Sequence, residues 1–72
     1  MTTFANRLKE LRTEKGISQL SLSKEVHIAL RSLQRYEYGE REANVSQLIA
    51  LADYFDVSLD YLVGRSDRKE NL

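Results

Sequence analysis

The sequence predicts an all-α fold built from five short helices. Three observations carry that expectation. Apolar residues recur at helical spacing, as Phe4, Leu8 and Leu11 do at i, i+4 and i+7, which is one stripe of an amphipathic helix. Capping residues at Thr3, Ser18, Asn44 and Ser58 and glycine stops at Gly16, Gly39 and Gly64 punctuate the chain between helical stretches. No segment sustains the apolar/polar alternation of a strand between turn signals.

The elements follow in order. Thr3 is placed to cap the first helix and Gly16 to stop it in a left-handed conformation. Ser18 caps a second, in which Leu22 and Val26 recur at i, i+4. A third lies within HIALRSLQRYEYG, residues 27–39, and stops at Gly39. After the polar EREA, Asn44 caps a fourth helix whose buried stripe is expected to be Val45, Leu48, Ala52 and Phe55. Ser58 caps a last short helix, SLDYLV, closed by Gly64. The chain thus divides into one domain over 1–66 and a polar tail over 67–72, and the polar RSDRKENL beyond Gly64 is expected to fray.

Composition narrows the function. At 72 residues the chain is near the lower limit for a self-sufficient core, and it has no cysteine to supplement one. A reducing, cytoplasmic setting is expected. A lone His27 cannot build a zinc site, and no run approaches the roughly 18 apolar residues of a membrane span. MTTFANRLKE lacks the basic-then-apolar order of a signal peptide. With one histidine, no glycine-rich phosphate loop and no clustered carboxylates, nothing is available to assemble an active site. No enzyme, metal, cofactor, membrane or small-molecule effector is expected. The charge is uneven, however. Residues 1–41 carry eight Lys/Arg against five Glu, whereas residues 42–72 carry three against six Asp/Glu. Such asymmetry is the cue that one part faces a polyanion, although charges scattered on a solvated surface give the same count.

The joint between the second and third helices, around Val26-His27-Ile28, is short enough for a helix-turn-helix. His27 falls in its turn, where a positive φ is usually needed. Stepping about 100° per residue from Leu33 brings Ala29, Tyr36 and Glu37 to the core side of the third helix. Arg31, Gln34, Arg35 and Tyr38 fall opposite, with Leu30 at the N-terminal edge. That outer face holds two guanidiniums, an amide and a phenol, with no carboxylate. Arg presents a rigid fork of donors suited to guanine edges and phosphates, Gln can pair with adenine, and Leu30 can touch a thymine methyl. Polar residues opposite a core stripe are also what any surface helix shows. Glu37 points inward and needs a partner, for which Arg12 beside the Leu8/Leu11 stripe is the candidate.

SQLSLSKEVHIALRSLQRYEYGE resembles the helix-turn-helix of the Cro/CI-type phage repressors and their bacterial relatives, the XRE family. The resemblance runs from about Leu8 to Gly64, and its parts are RLKELR, GISQ, RYEYG and VSLDYLVG. It implies a five-helix, lambda-repressor-like DNA-binding domain, usually dimeric, that regulates transcription. Double-stranded DNA with a near-palindromic operator would then be the partner. The resemblance places Leu30, Arg31 and Arg35 where the family reads base edges. Ser18 and Gln19 fall at the start of the second helix, where phosphates are contacted or reading side chains supported, and Gln34 and Tyr38 fall near the same surface. The segment from Arg41 to Ser46, with Asn44, matches a loop and helix start that grip phosphates. Arg12 and Glu37 match a buried ion pair of the phage members.

The chain departs from the pattern at Ser23, where Ala is usual, at His27 in the turn, and at Ala29, where a capping Ser or Thr is usual. Leu30 and Ala43 replace residues that are more often polar and Pro. A competing reading keeps the same fold but makes it a protein-interaction module, an antitoxin or anti-regulator. Apolar surface at Leu59, Tyr61 and Val63 is expected to serve a self-dimer, or such a partner.

Overall fold

Each of the five expected helices begins at the residue whose side chain caps it, with one exception. The computed structural model describes residues 3–70, so residues 1, 2, 71 and 72 of the expected domain and tail lie outside the described residues. The helices are α1 (Phe4–Lys15), α2 (Gln19–Val26), α3 (Leu30–Glu37), α4 (Val45–Phe55) and α5 (Leu59–Leu62), with no strand among the described residues. The hydroxyls of Thr3, Ser18 and Ser58 accept from backbone N–H groups three residues on. Asn44 does the same within a reciprocal capping box with Gln47.

The exception is Ala29. It occupies the cap of α3 with φ −57° and ψ 139° and offers no side-chain hydrogen bond. Its exposure corrects the helical-wheel placement on the core side. A residue outside the helical dihedrals does not follow the wheel. Ala29→Ser is expected to stabilise the fold by about 1 kcal/mol. That would appear as a thermal midpoint higher by roughly 4–8 °C.

The stops are equally local. Gly16 (φ 73°), His27 (φ 57°) and Gly39 (φ 75°) take left-handed backbones after α1, α2 and α3. Beyond Gly39 the Glu40 N–H reaches back to the Arg35 carbonyl at 2.9 Å, closing α3. Asp56 (φ 56°) ends α4 in the same way, a role the sequence did not announce.

One leucine from every helix is fully buried: Leu8, Leu22, Leu33, Leu51 and Leu62. Full burial of such a side chain is worth about 1.5–3 kcal/mol, so these five tie all elements to one core. In α4 the expected stripe is shifted. Leu51 and Ala52 hold the centre, Leu48 and Phe55 are partly buried, and Val45 is 69% exposed. Val45 is the first helical residue, and α4 meets the core through its middle and later turns.

Two further corrections concern the C-terminal end. Tyr61, expected to offer surface for a dimer, is only 7% exposed. Its ring lies under the buried Arg7 guanidinium, 3.8 Å from centroid to Cζ. The stretch expected to fray instead returns to the domain up to Lys69. Ser58 donates from its N–H to the Lys69 carbonyl at 2.6 Å and from its hydroxyl to the Arg68 carbonyl at 3.1 Å. Asp67 approaches Arg7 at 3.4 Å, and Lys69 approaches Glu14 at 3.5 Å.

Candidate nucleic-acid interface

Between α2 and α3 lie only His27, Ile28 and Ala29. His27 turns the chain and Ile28, 5% exposed, plugs the corner into the core. This tight joint is the helix-turn-helix arrangement, with α3 as its second helix.

A buried ionic lock fixes how α3 is rotated. The Arg12 Nε donates to Glu37 Oε2 at 2.6 Å and its Nη2 to Oε1 at 3.0 Å, a fork-to-fork geometry. The two side chains are 17% and 3% exposed. The third donor direction of Arg12 is taken by the Ile17 carbonyl at 2.9 Å. Hydrogen bonding to Glu37 raises the Arg12 pKa above its ordinary value despite desolvation, so the guanidinium stays charged. Gln19, the first residue of α2, donates from Nε2 to the same Glu37 oxygen at 3.2 Å. One carboxylate therefore joins α1, the start of α2 and the end of α3.

With Glu37 turned inward, the opposite face of α3 is free of carboxylates. Arg31, Arg35 and Tyr38 are exposed, while Leu30 and Gln34 are half-buried. Neither Arg31 nor Arg35 makes a side-chain hydrogen bond or ion pair among the described residues. Two guanidiniums one helical turn apart, without a side-chain partner among the described residues, leave their donors available to an external partner.

Ser18, Gln19 and Tyr38 line one shallow cavity of about 330 Å³ with Arg12, Glu37 and Lys9. Lys9 was missed by sequence reasoning. It lies three residues before Arg12, so the placement of Arg12 carried the signal. The Ser18 hydroxyl is engaged with Ser21, and the Asn44 Oδ1 with the Gln47 N–H. Arg41 and Ser46 are exposed, and Glu40 and Glu42 flank Arg41. The structure does not bring Leu59, Tyr61 and Val63 together as one free surface. Leu59 is 41% exposed and Val63 half-buried, whereas Tyr61 faces Arg7.

Residues 8–62 match the helix-turn-helix family model. The chain is 36% identical over 67 residues to the uncharacterized HTH-type transcriptional regulator YqaE of Bacillus subtilis, covering 92% of this chain and 58% of that one. It is 34% identical over 65 residues to the cryptic phage CTXphi transcriptional repressor RstR of Vibrio cholerae, covering 90% and 58%. The chain thus spans little more than half the length of these relatives. Among solved structures, the P22 c2 repressor in complex with a synthetic operator superposes with a TM-score of 0.85 at 27% identity. That match covers 92% of this chain and all of the P22 chain.

Proposed function

We propose that this chain, which belongs to the helix-turn-helix family, is a sequence-specific DNA-binding regulator of transcription, a repressor of phage or mobile-element type. The observation that carries this reading is the carboxylate-free outer face of α3, with Arg31 and Arg35 unpaired among the described residues and the helix locked from behind by Arg12–Glu37. The solved P22 c2 repressor, bound to operator DNA, supports it.

In this reading α3 enters the major groove. Arg31 and Arg35 present their forks to guanine edges and Leu30 meets a thymine methyl. Lys9, Ser18, Gln19, Gln34, Tyr38, Arg41 and Ser46 border the groove and meet phosphates, which set register rather than sequence. Asn44 contributes its Nδ2 donors, since its Oδ1 is engaged in the cap. Occupying a promoter in this way excludes other proteins from it, which is repression without chemistry. The setting is cytoplasmic, and no catalytic step, cofactor or effector is proposed. Among the described residues no helix is long and apolar enough to cross a membrane.

Titrating DNA binding against salt tests the reading. Displacing counterions from phosphates makes log Kd rise linearly with log salt, by about 0.9 per phosphate contacted. Binding indifferent to salt would instead favour an apolar protein partner.

One recognition helix covers too few base pairs to find a site among a genome's competitors. The chain therefore acts as a two-fold dimer on a near-palindromic operator, with successive major grooves about 34 Å apart. The self-contact uses the exposed Leu59 with the half-buried Val63, without Tyr61. In an isologous contact a new charge near the dyad faces its own copy. Leu59→Glu is expected to leave the monomer folded and to abolish cooperative occupancy of two half-sites in footprinting, with Val63→Glu as the second variant. Unchanged cooperativity in both would remove this surface from the dimer.

A further inference from the structure

Tyr36 is a core residue of α3, 1% exposed, yet its phenol is not left without a partner. Its hydroxyl donates to the Gln47 Oε1 in α4. The same oxygen accepts the Asn44 N–H at 3.2 Å, and the Gln47 N–H donates to Asn44 Oδ1 at 2.8 Å. A backbone N–H can only donate, so the Gln47 amide must present its oxygen there, and the orientation is fixed by chemistry. Tyr36 lies between Arg35, on the outer face, and Glu37, in the ionic lock. Segment 41–46 makes no direct hydrogen bond to α3 among the described residues. Just before it the Glu40 N–H bonds the Arg35 carbonyl, and within it Ala43 packs against the core.

We propose that Gln47 is a positioning residue for DNA binding: by taking the Tyr36 hydroxyl and the Asn44 N–H on one oxygen, it holds segment 41–46 in register with the base-reading face of α3. The inference rests on the DNA-binding reading above and adds a mechanism to it. Bases and phosphates are fixed relative to one another in the duplex. A domain that contacts both gains from each only when its two contact surfaces keep a set separation. The capping box alone would order the start of α4 without reference to α3. The buried phenol supplies that reference.

The experiment measures operator affinity across a salt series for the wild type, Tyr36→Phe, Gln47→Met and the double variant, with thermal midpoints alongside. Tyr36→Phe keeps the ring in the core and removes only the hydroxyl. Each single variant is expected to remain folded and to lose affinity by about three- to tenfold, the range of one hydrogen bond. Its salt slope should become shallower by roughly one phosphate contact, about 0.9, with base preference unchanged. The double variant should lose no more than Gln47→Met alone, because that substitution already removes the bond to Tyr36 together with the one from the Asn44 N–H. Lower thermal midpoints with wild-type affinity and slope would make the bond structural only and overturn the proposal, as would additive losses. A wild-type chain that bound no DNA would sink the functional reading and this inference together. A binding wild type matched by both variants overturns this inference alone.

Discussion

Arg12→Met is expected to destabilise the folded chain by about 3–5 kcal/mol, because it strands a buried carboxylate. The Glu37 side chain is 3% exposed, and without Arg12 its remaining partner among the described residues is the neutral amide of Gln19. The Ile17 carbonyl loses its donor as well. Total stability for a domain of this length is about 4–11 kcal/mol, so the loss removes much of it. Urea unfolding of the purified variant measures the effect. Glu37→Gln should act in the same direction, since it leaves the guanidinium buried without its charge partner. Arg12→Met with Glu37→Leu should recover most of the loss, because neither charge is then left alone in the interior. A single-variant cost below about 1 kcal/mol is the behaviour of a solvated pair and would contradict the lock.

Arg31→Ala and Arg35→Ala carry the second large effect, and it falls on binding. Each is expected to weaken specific association by about 1–3 kcal/mol and to relax base preference at the position it reads. Stability should hardly change, because both side chains are exposed and make no side-chain hydrogen bond or ion pair among the described residues. Affinity for the operator and for scrambled DNA, measured side by side, separates base reading from phosphate attraction. A variant that loses thermal stability while keeping its site preference would show that α3 is rotated differently.

Much of this was legible in the sequence, for a local reason. Thr3, Ser18, Asn44 and Ser58 act within one helical turn, and Gly16, His27 and Gly39 act on their own backbone. Such signals need no knowledge of the tertiary fold. The inward Glu37 also followed from periodicity, and a buried charge demands a partner, which led to Arg12. What escaped depends on contacts distant in the chain. Arg7 falls on the Phe4/Leu11 side of α1 but reads as one more surface cation until Tyr61 packs beneath it, and that contact withdraws Tyr61 from the expected dimer surface. The return of Asp67 to Lys69 depends on α1 and α5 lying side by side. No local signal marks Gln47, and only the position of Tyr36 gives its oxygen a second role.

The central claim is that the outer face of α3 reads base edges, and selection of bound duplexes from a random DNA pool tests it most directly. The wild-type chain is expected to enrich a two-fold-related pair of half-sites whose centres lie about one helical turn, or 34 Å, apart. Arg35→Ala, taken through the same selection, should lose preference at one position in each half. No enriched sequence from the wild type, or the same sequence enriched equally by Arg35→Ala, would contradict it.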